Sequence, residues 1–364
     1  MLKETVNLPS VIIDPHCHAR DMDQSYKTTV KQTMAEAQKG LITTSFFMPN
    51  TSPPIVNPEV LERYLKIIDR AREELGVQHQ QYVYFGATDE NLRECRGALN
   101  NPAVVSIKVY PLGKSGETVT TGTIGVADDI TILKLLNLSE ISGKPVAFHC
   151  DDPEIISLEG NTIRAEVSYV KKILRMTRDF PQAKIIICHV SCIESAELIL
   201  HAQERGTQVA LELCPHYLWF DADGTNWNPR LNPVFYKCYN NLRPKEHREF
   251  LVSLLKMDNP LIFVGSDNAP HTLGEKTSRG FGGLSSNQEM VPVILTLARK
   301  LGLANQQVVR LLCFNAANFF QIPVINQMKV YRLEKQIDSL QYNNGVVENP
   351  WRGSELYFPV PVEE

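Results

Sequence analysis

Two histidines one residue apart, His16 and His18 in Asp14-Pro15-His16-Cys17-His18, are the first residues in this chain whose spacing points to chemistry. Side chains alternate along an extended chain, so both imidazoles face one way and can converge on a single cation, while Cys17 faces the other. Further on, His149, His189 and Asp267 each end a short apolar run, and Lys108 interrupts another, Ala103-Val104-Val105-Ser106-Ile107-Lys108-Val109-Tyr110. Any one of these histidines alone is adequately explained as a hydrogen-bonded core or rim residue. Four histidines and an aspartate, all at the ends of apolar runs, are not, and neutral imidazole with carboxylate suits Zn2+ or a similar divalent ion. Lys108 has two readings: a buried stem whose ammonium reaches the rim, or an amine that has lost its charge beside cations. A neutral lysine amine can take up carbon dioxide as a carbamate, an anionic ligand able to bridge two metals, although spacing alone does not demand it.

These residues must be positioned by a repeating pattern: short β-branched runs alternate with stretches of helical composition from Val11 to Ser266. The runs are Val11–Asp14, Ile42–Met48, Gln81–Ala87, Val104–Val109, Val146–His149, Lys184–His189, Gln208–Leu213 and Leu261–Ser266, with helices expected at Pro58–Leu75, Ile130–Ser142, Ile163–Asp179 and Ile193–Arg205. Repeated βα units build a parallel sheet, and eight of them fit an α/β fold of the (β/α)8, or TIM-barrel, kind better than an open doubly wound sheet. In such a barrel the C-terminal ends of the strands carry the chemistry, which is where the histidines, the lysine and the aspartate fall. Further helices are expected at Asn287–Leu301 and Asn305–Phe320, then a tail to Glu364. Because the first run starts at Val11, little or no N-terminal β-sandwich extension is expected. Residues 1–364 read as one domain, with barrel strands at about 11–266 and C-terminal helices and tail at about 287–364.

Composition narrows the partners. Lys+Arg 37 against Asp+Glu 41 gives a net charge of -4, so there is no electrostatic case for a nucleic acid or an anionic membrane. No apolar run reaches the ~20 residues needed to span a bilayer, and the N-terminal stretch lacks signal-peptide order, so the cytoplasm is the expected location. Eight cysteines in 364 residues are too sparse for a disulfide framework and read as reduced core thiols. A small-molecule substrate is the expected partner, with no nucleic acid and no membrane, and a homodimer is a compatible assembly. His79, His201 and His247 occur in polar stretches and read as surface residues. Cys150 and Cys188, beside His149 and His189, are expected to alternate to the opposite strand face.

Taken together, Asp14-Pro15-His16-Cys17-His18-Ala19-Arg20, Met48-Pro49-Asn50-Thr51, Ile107-Lys108-Val109-Tyr110-Pro111, Phe148-His149, Cys188-His189-Val190-Ser191 and Gly265-Ser266-Asp267-Asn268-Ala269-Pro270-His271 resemble, in order and across the whole barrel, the amidohydrolase superfamily and within it the dihydroorotase family. The resemblance implies reversible, metal-dependent hydrolysis of the cyclic amide of dihydroorotate to N-carbamoyl-aspartate. It implies two divalent metal ions, with Zn2+ the expected species: His16, His18 and Asp267 on one, His149 and His189 on the other, and carboxylated Lys108 bridging them. A hydroxide shared by the pair is the implied nucleophile, its pKa lowered by two cations. Asp267 is implied as the group that takes its proton and passes it to the ring nitrogen. Arg20, Asn50 and His271 match the positions that bind the substrate's carboxylate, a role that a guanidinium fork suits. Read alone, Arg20 is a partner for Asp21 or Asp23, Asn50 a turn residue and His271 a loop histidine.

The chain departs from the family pattern at Ala19, where leucine is usual, and at Asp21-Met22. The segment Lys237–Pro244 and the run Gly280-Phe281-Gly282-Gly283 resemble stretches whose main chain contacts the pyrimidine ring, with altered middle residues in the first. The glycine-rich loop Leu112–Gly125 is expected to close over the substrate, with Thr120 and Thr121 nearest to the family's loop threonines. Hydantoinases, dihydropyrimidinases and allantoinases share the metal ligands, and what separates them is the carboxylate that gives Arg20, Asn50 and His271 a common partner. A catalytically silent, dihydroorotase-like scaffold typically loses metal ligands, whereas all six are present here.

Overall fold

The eight apolar runs form eight parallel strands, hydrogen-bonded in sequence order into one sheet. The computed structural model describes residues 4–114, 124–325 and 327–362. After a short strand β1 (Thr5–Pro9), the barrel strands are β2 (Ile13–Cys17), β3 (Thr44–Phe47), β4 (Tyr82–Gly86), β5 (Val104–Val109), β6 (Val146–Phe148), β7 (Ile185–Ile187), β8 (Val209–Leu213) and β9 (Ile262–Val264). The circle closes just beyond β9, where the Asp267 N–H donates to the His16 carbonyl (2.8 Å) and the His18 N–H to the Asn268 carbonyl (2.9 Å). This is the α/β barrel that the repeating pattern predicts.

A helix follows each strand: Val30–Lys39, Pro58–Leu75, Leu92–Ala98, Asp129–Ser142, Ile163–Met176, Ile193–Glu204, Lys245–Leu254 and Met290–Leu301. Local chemistry sets their ends. Asn57 accepts from the Val60 N–H (2.9 Å) at the start of Pro58–Leu75, and Pro58 has no N–H to leave unpaired in the first turn. The helix expected to reach Asp179 stops at Met176, because its last turn tightens into a 3-10 turn over Thr177–Asp179.

The stretch 305–320 is not one helix but three pieces, Asn305–Val309, a π turn at Arg310–Phe314 and Asn315–Phe320. It carries Phe319 and Phe320 across the N-terminal end of the barrel. There Phe320 lies 4.9 Å from Phe46 and Phe319 lies 5.9 Å from Phe263, centroid to centroid. Burying each ring contributes roughly 1.5–3 kcal/mol, so this end is closed by an aromatic plug and the opposite end is left for polar groups.

Strand β10 (Met328–Ile337) pairs antiparallel with β1 on one side and with β11 (Glu355–Pro361) on the other, in a separate three-stranded sheet. Ahead of the barrel, residues 5–9 thus form a strand of this sheet, with Val6 opposite Tyr331. Five residues at a sheet edge, ending in proline, carry little sequence signal. Between β10 and β11 the chain returns to the barrel, where the Trp351 indole N–H donates to the Ser285 carbonyl (2.8 Å). All eight cysteines are buried and unpaired. Among the described residues no helix is long and apolar enough to cross a membrane. Residues 115–123 of the expected closing loop, Thr120 and Thr121 included, lie outside the described residues.

Candidate active site

At the C-terminal ends of the strands a cavity of about 520 Å3 opens, lined on one side by His16, His18, Lys108, His149, His189 and Asp267 and on the other by Arg20, Asn50, Tyr239, His271, Gly282 and Gly283. The strand ends aim the first group inward. Asp267 and His189 both have left-handed backbone, at φ 46 and 40. That conformation is strained for residues with a Cβ and redirects both side chains just as the chain leaves its strand.

Three of the imidazoles, His16, His18 and His149, are held by one nitrogen with the other facing the cavity, whereas His189 Nδ1 has no hydrogen-bond partner among the described residues. His16 donates from Nδ1 to Glu212 Oε1 (2.7 Å), an oxygen that also accepts from the His189 N–H (3.0 Å). Its Nε2 lies 3.3 Å from Asp267 Oδ1. His18 donates from Nδ1 to Asn50 Oδ1 (2.6 Å), and its Nε2 is 3.2 Å from the same Asp267 oxygen. His149 donates from Nε2 to Asp151 (3.0 Å), leaving Nδ1 2.9 Å from His189 Nε2. Burial holds His16, His18 and His189 well below the usual imidazole range, so their lone pairs are available. His16, His18 and Asp267 place one donor atom each within 4.8 Å of one another. Converging imidazoles, three of them fixed by a polar partner on the far side, fit divalent metals.

Glu212 and Asp151 are site residues that the sequence reading missed. Both are fully buried, and burial pushes the Glu212 carboxyl up to about 8 against the pull of Lys108. The available signal was an acidic residue inside an apolar run, Val-Ala-Leu-Glu-Leu, and a carboxylate two residues past a candidate ligand, His-Cys-Asp. His216 was also missed. It is completely buried, 3.9 Å from Asp267 Oδ2, and neither ring nitrogen has a hydrogen-bond partner among the described residues.

Lys108 is fully buried, with Nζ donating to Cys188 Sγ (2.9 Å) and no carboxylate within 4.0 Å among the described residues. That contact corrects the expectation for Cys188, whose thiol faces the barrel interior. The alternation fails because the positive φ at His189 turns the ligand side chain independently of strand register. Cys150 does pack among the outward-facing core residues. Among the remaining histidines, His201 is exposed and His79 half-buried. His247 is not a surface residue: it is buried and accepts from the Ile193 N–H (3.1 Å), which pins the start of a barrel helix.

Across the cavity Arg20 is 6% exposed, its Nε has no partner, and Nη2 lies 3.3 Å from His271 Nε2. Neither Asp21 nor Asp23 pairs with it, and no carboxylate lies within 4.0 Å among the described residues. Burial pushes the His271 imidazole down to about 3, with Glu275 pulling the other way, so the ring is neutral and accepts from the guanidinium. Lys27 completes the group, with Nζ 3.0 Å from Glu275 Oε1 and 3.3 Å from His271 Nδ1. The end of the cavity is thus a net cationic recess.

No protein-family model matches the chain. A dihydroorotase from Pyrococcus abyssi is 30% identical over 325 residues, covering 88% of this chain and 70% of that protein. The chain belongs to the dihydroorotase family. A second relative, the dihydroorotase of Ruminiclostridium cellulolyticum, is 25% identical over 366 residues, 95% of this chain and 82% of that protein. Among solved structures, dihydroorotase from Saccharomyces cerevisiae in complex with 5-fluoroorotic acid superposes with a TM-score of 0.82 at 19% identity, covering 98% of this chain and 100% of that one. An L-hydantoinase (dihydropyrimidinase) from Arthrobacter aurescens reaches 0.78 at 21% identity, over 98% and 83%. At such identities these structural likenesses speak for the barrel fold, and the choice of substrate rests on the site.

Proposed function

We propose that this chain reversibly hydrolyses the cyclic amide of (S)-dihydroorotate to N-carbamoyl-L-aspartate, a step of de novo pyrimidine (UMP) biosynthesis in the cytoplasm. The observation that carries the reading is Arg20: a buried guanidinium facing a cavity without a carboxylate partner among the described residues. A buried charge without a counterion is costly, and a substrate carboxylate supplies the missing one through the two-pronged geometry that arginine favours. Rings that lack a carboxylate leave that cost in place.

His16, His18 and Asp267 would hold one divalent metal, His149 and His189 a second, and Lys108 as its carbamate would lie between them, with zinc the ion that best suits this donor set. Carboxylation accounts for a fully buried lysine among cation ligands, since it replaces an ammonium by an anion. Bound there, the metals would acidify a shared water and polarise the amide carbonyl. The chain's own residues do the rest. Arg20, His271 and Asn50 bind the carboxylate and fix the ring's orientation, and Asp267 accepts the proton of the attacking water and returns it to the departing ring nitrogen.

The test is turnover by the metal-loaded protein of dihydroorotate, N-carbamoyl-aspartate, dihydrouracil and hydantoin, with metal analysis of the same sample. Interconversion of the first pair far faster than turnover of the other two, with two metals per chain, is expected. Faster hydrolysis of dihydrouracil or hydantoin would move the assignment to the amidases whose substrates lack a carboxylate.

A further inference from the structure

The cavity wall facing the metal-binding side chains includes Tyr239, Gly282 and Gly283. Gly282 has no room for a side chain, since a Cβ there would lie 2.7 Å from the Tyr239 ring. Gly283 has φ +142, and a Cβ on it would lie 2.4 Å from the Ala269 carbonyl oxygen. With side chains excluded, such a wall presents main chain to the cavity, where peptide groups left unpaired, unlike the N–H and C=O of Gly283 itself, can complement a ring amide. Its usefulness depends on where those peptides sit, because glycines confer no stiffness of their own.

What fixes them is Lys276, on the short helix Leu273–Arg279 behind the wall. Its side chain is 4% exposed, and its ammonium donates to the Gly283 carbonyl (2.6 Å) and the Lys237 carbonyl (3.0 Å). The Lys237 oxygen also accepts from the Gly283 N–H (2.9 Å), so the two segments meet at one three-way junction. No carboxylate partners this ammonium among the described residues, and burial pushes it down to about 8. An aliphatic side chain would fill the space without that desolvation cost. Among the described residues no hydrogen bond joins Lys276 to the residues that would hold metal.

We propose that Lys276 is a positioning residue for substrate recognition: by tying residues 237–239 to residues 280–283 it sets the peptide groups that receive the ring amide. The inference rests on the reading of the cavity as a dihydroorotate site. Lys276→Met keeps the stem and removes the donors. It should raise KM for dihydroorotate and for N-carbamoyl-aspartate about tenfold while kcat stays within about twofold. Metal content should equal that of the wild type. Lys276→Arg should restore much of the affinity. Unchanged KM in a folded, metal-loaded Lys276→Met would overturn the proposal, as would a fall in kcat with loss of metal. If the methionine variant does not fold, Lys276→Leu, which also lacks a donor, carries the test, and a wild-type KM there is equally fatal. Failure of the underlying reading looks different: the wild type itself would not turn over dihydroorotate.

Discussion

The two sides of the cavity are built by different means. His16, His18, Lys108, His149, His189 and Asp267 stand on or just past strands of a closed barrel, where backbone pairing places them, and Glu212, Asn50 and Asp151 orient the rings of His16, His18 and His149. Arg20, His271, Tyr239, Gly282 and Gly283 stand on loops whose shape depends on side-chain contacts such as Lys276 to Gly283 and Lys27 to Glu275. On the proposed reading the strand-end side breaks the bond and the loop side recognises the substrate. Changes on the first should therefore appear in kcat and metal content, and changes on the second in KM.

The largest effect is expected at Lys108. In Lys108→Ala the anion between two cations is gone, and turnover should fall by at least about a thousandfold, since metal-centred stabilisation is worth several kcal/mol. A short carboxylic acid added to the assay should restore part of it by occupying the vacated position. Near-normal turnover and metal content in this variant would break the division between the two sides at its strongest point. Next comes Asp267→Asn, which should lower kcat by about a hundredfold to ten-thousandfold with KM little changed, because the proton transfer belongs to the transition state. A proportionate rise in KM with normal kcat would place Asp267 on the recognition side instead.

The same division explains what could be read from the chain. Each barrel strand is a β-branched run with its own helix, so eight parallel strands and the polar residues ending them were legible. Their convergence in one cavity follows from closure of the sheet rather than from any pairwise signal. Glu212 was not legible, because one acidic residue in Val-Ala-Leu-Glu-Leu gives no hint that it meets His16 across 196 positions. Cys188 was misplaced because alternation fails where His189 takes a left-handed backbone. Lys276 reads as an ordinary charged residue on an exposed-looking helix, Leu-Gly-Glu-Lys-Thr-Ser-Arg, and only the approach of two distant carbonyls makes it a buried tie. His247 reads as polar surface for a similar reason, since its partner is a main-chain N–H 54 positions away.

Arg20→Met sharpens the comparison from the loop side. It removes a buried charge-assisted contact worth about 1.5–3 kcal/mol, so KM for dihydroorotate should rise roughly tenfold to a hundredfold while metal content is unchanged. The informative measurement is the ratio to dihydrouracil, which has no carboxylate and whose weak binding should be indifferent to the change. Equal losses for both substrates would mean that Arg20 shapes the cavity rather than reading the carboxylate.

The smallest effect, and the one that tests the boundary between the two sides, is expected at His216. It stands directly behind Asp267, 3.9 Å from Oδ2, on the short helix Pro215–Trp219 that follows β8. Burial pushes its imidazole down to about 4, although Asp267 pulls it upward, so at neutral pH the ring is uncharged and carries one N–H. Neither nitrogen is hydrogen-bonded to another described residue, and an unsatisfied buried polar group costs about 1–3 kcal/mol. A group kept at that cost beside the carboxylate proposed to transfer the proton calls for a use, and the one within reach is donation to Asp267 Oδ2 after a shift of less than about 1 Å, which brings the pair to hydrogen-bond distance. Held that way, the carboxylate keeps Oδ1 turned toward His16 and His18. His216→Phe preserves ring packing against Tyr217 (4.2 Å between centroids) and removes the unpaired nitrogens. It should melt at the same or a higher temperature than the wild type, yet lose roughly threefold to tenfold in kcat with little change in KM. His216→Gln, which keeps an N–H donor, should recover part of that loss. A lower melting temperature with unaltered kcat would identify His216 as a packing residue and leave Asp267 to be oriented by the strand-end ligands alone.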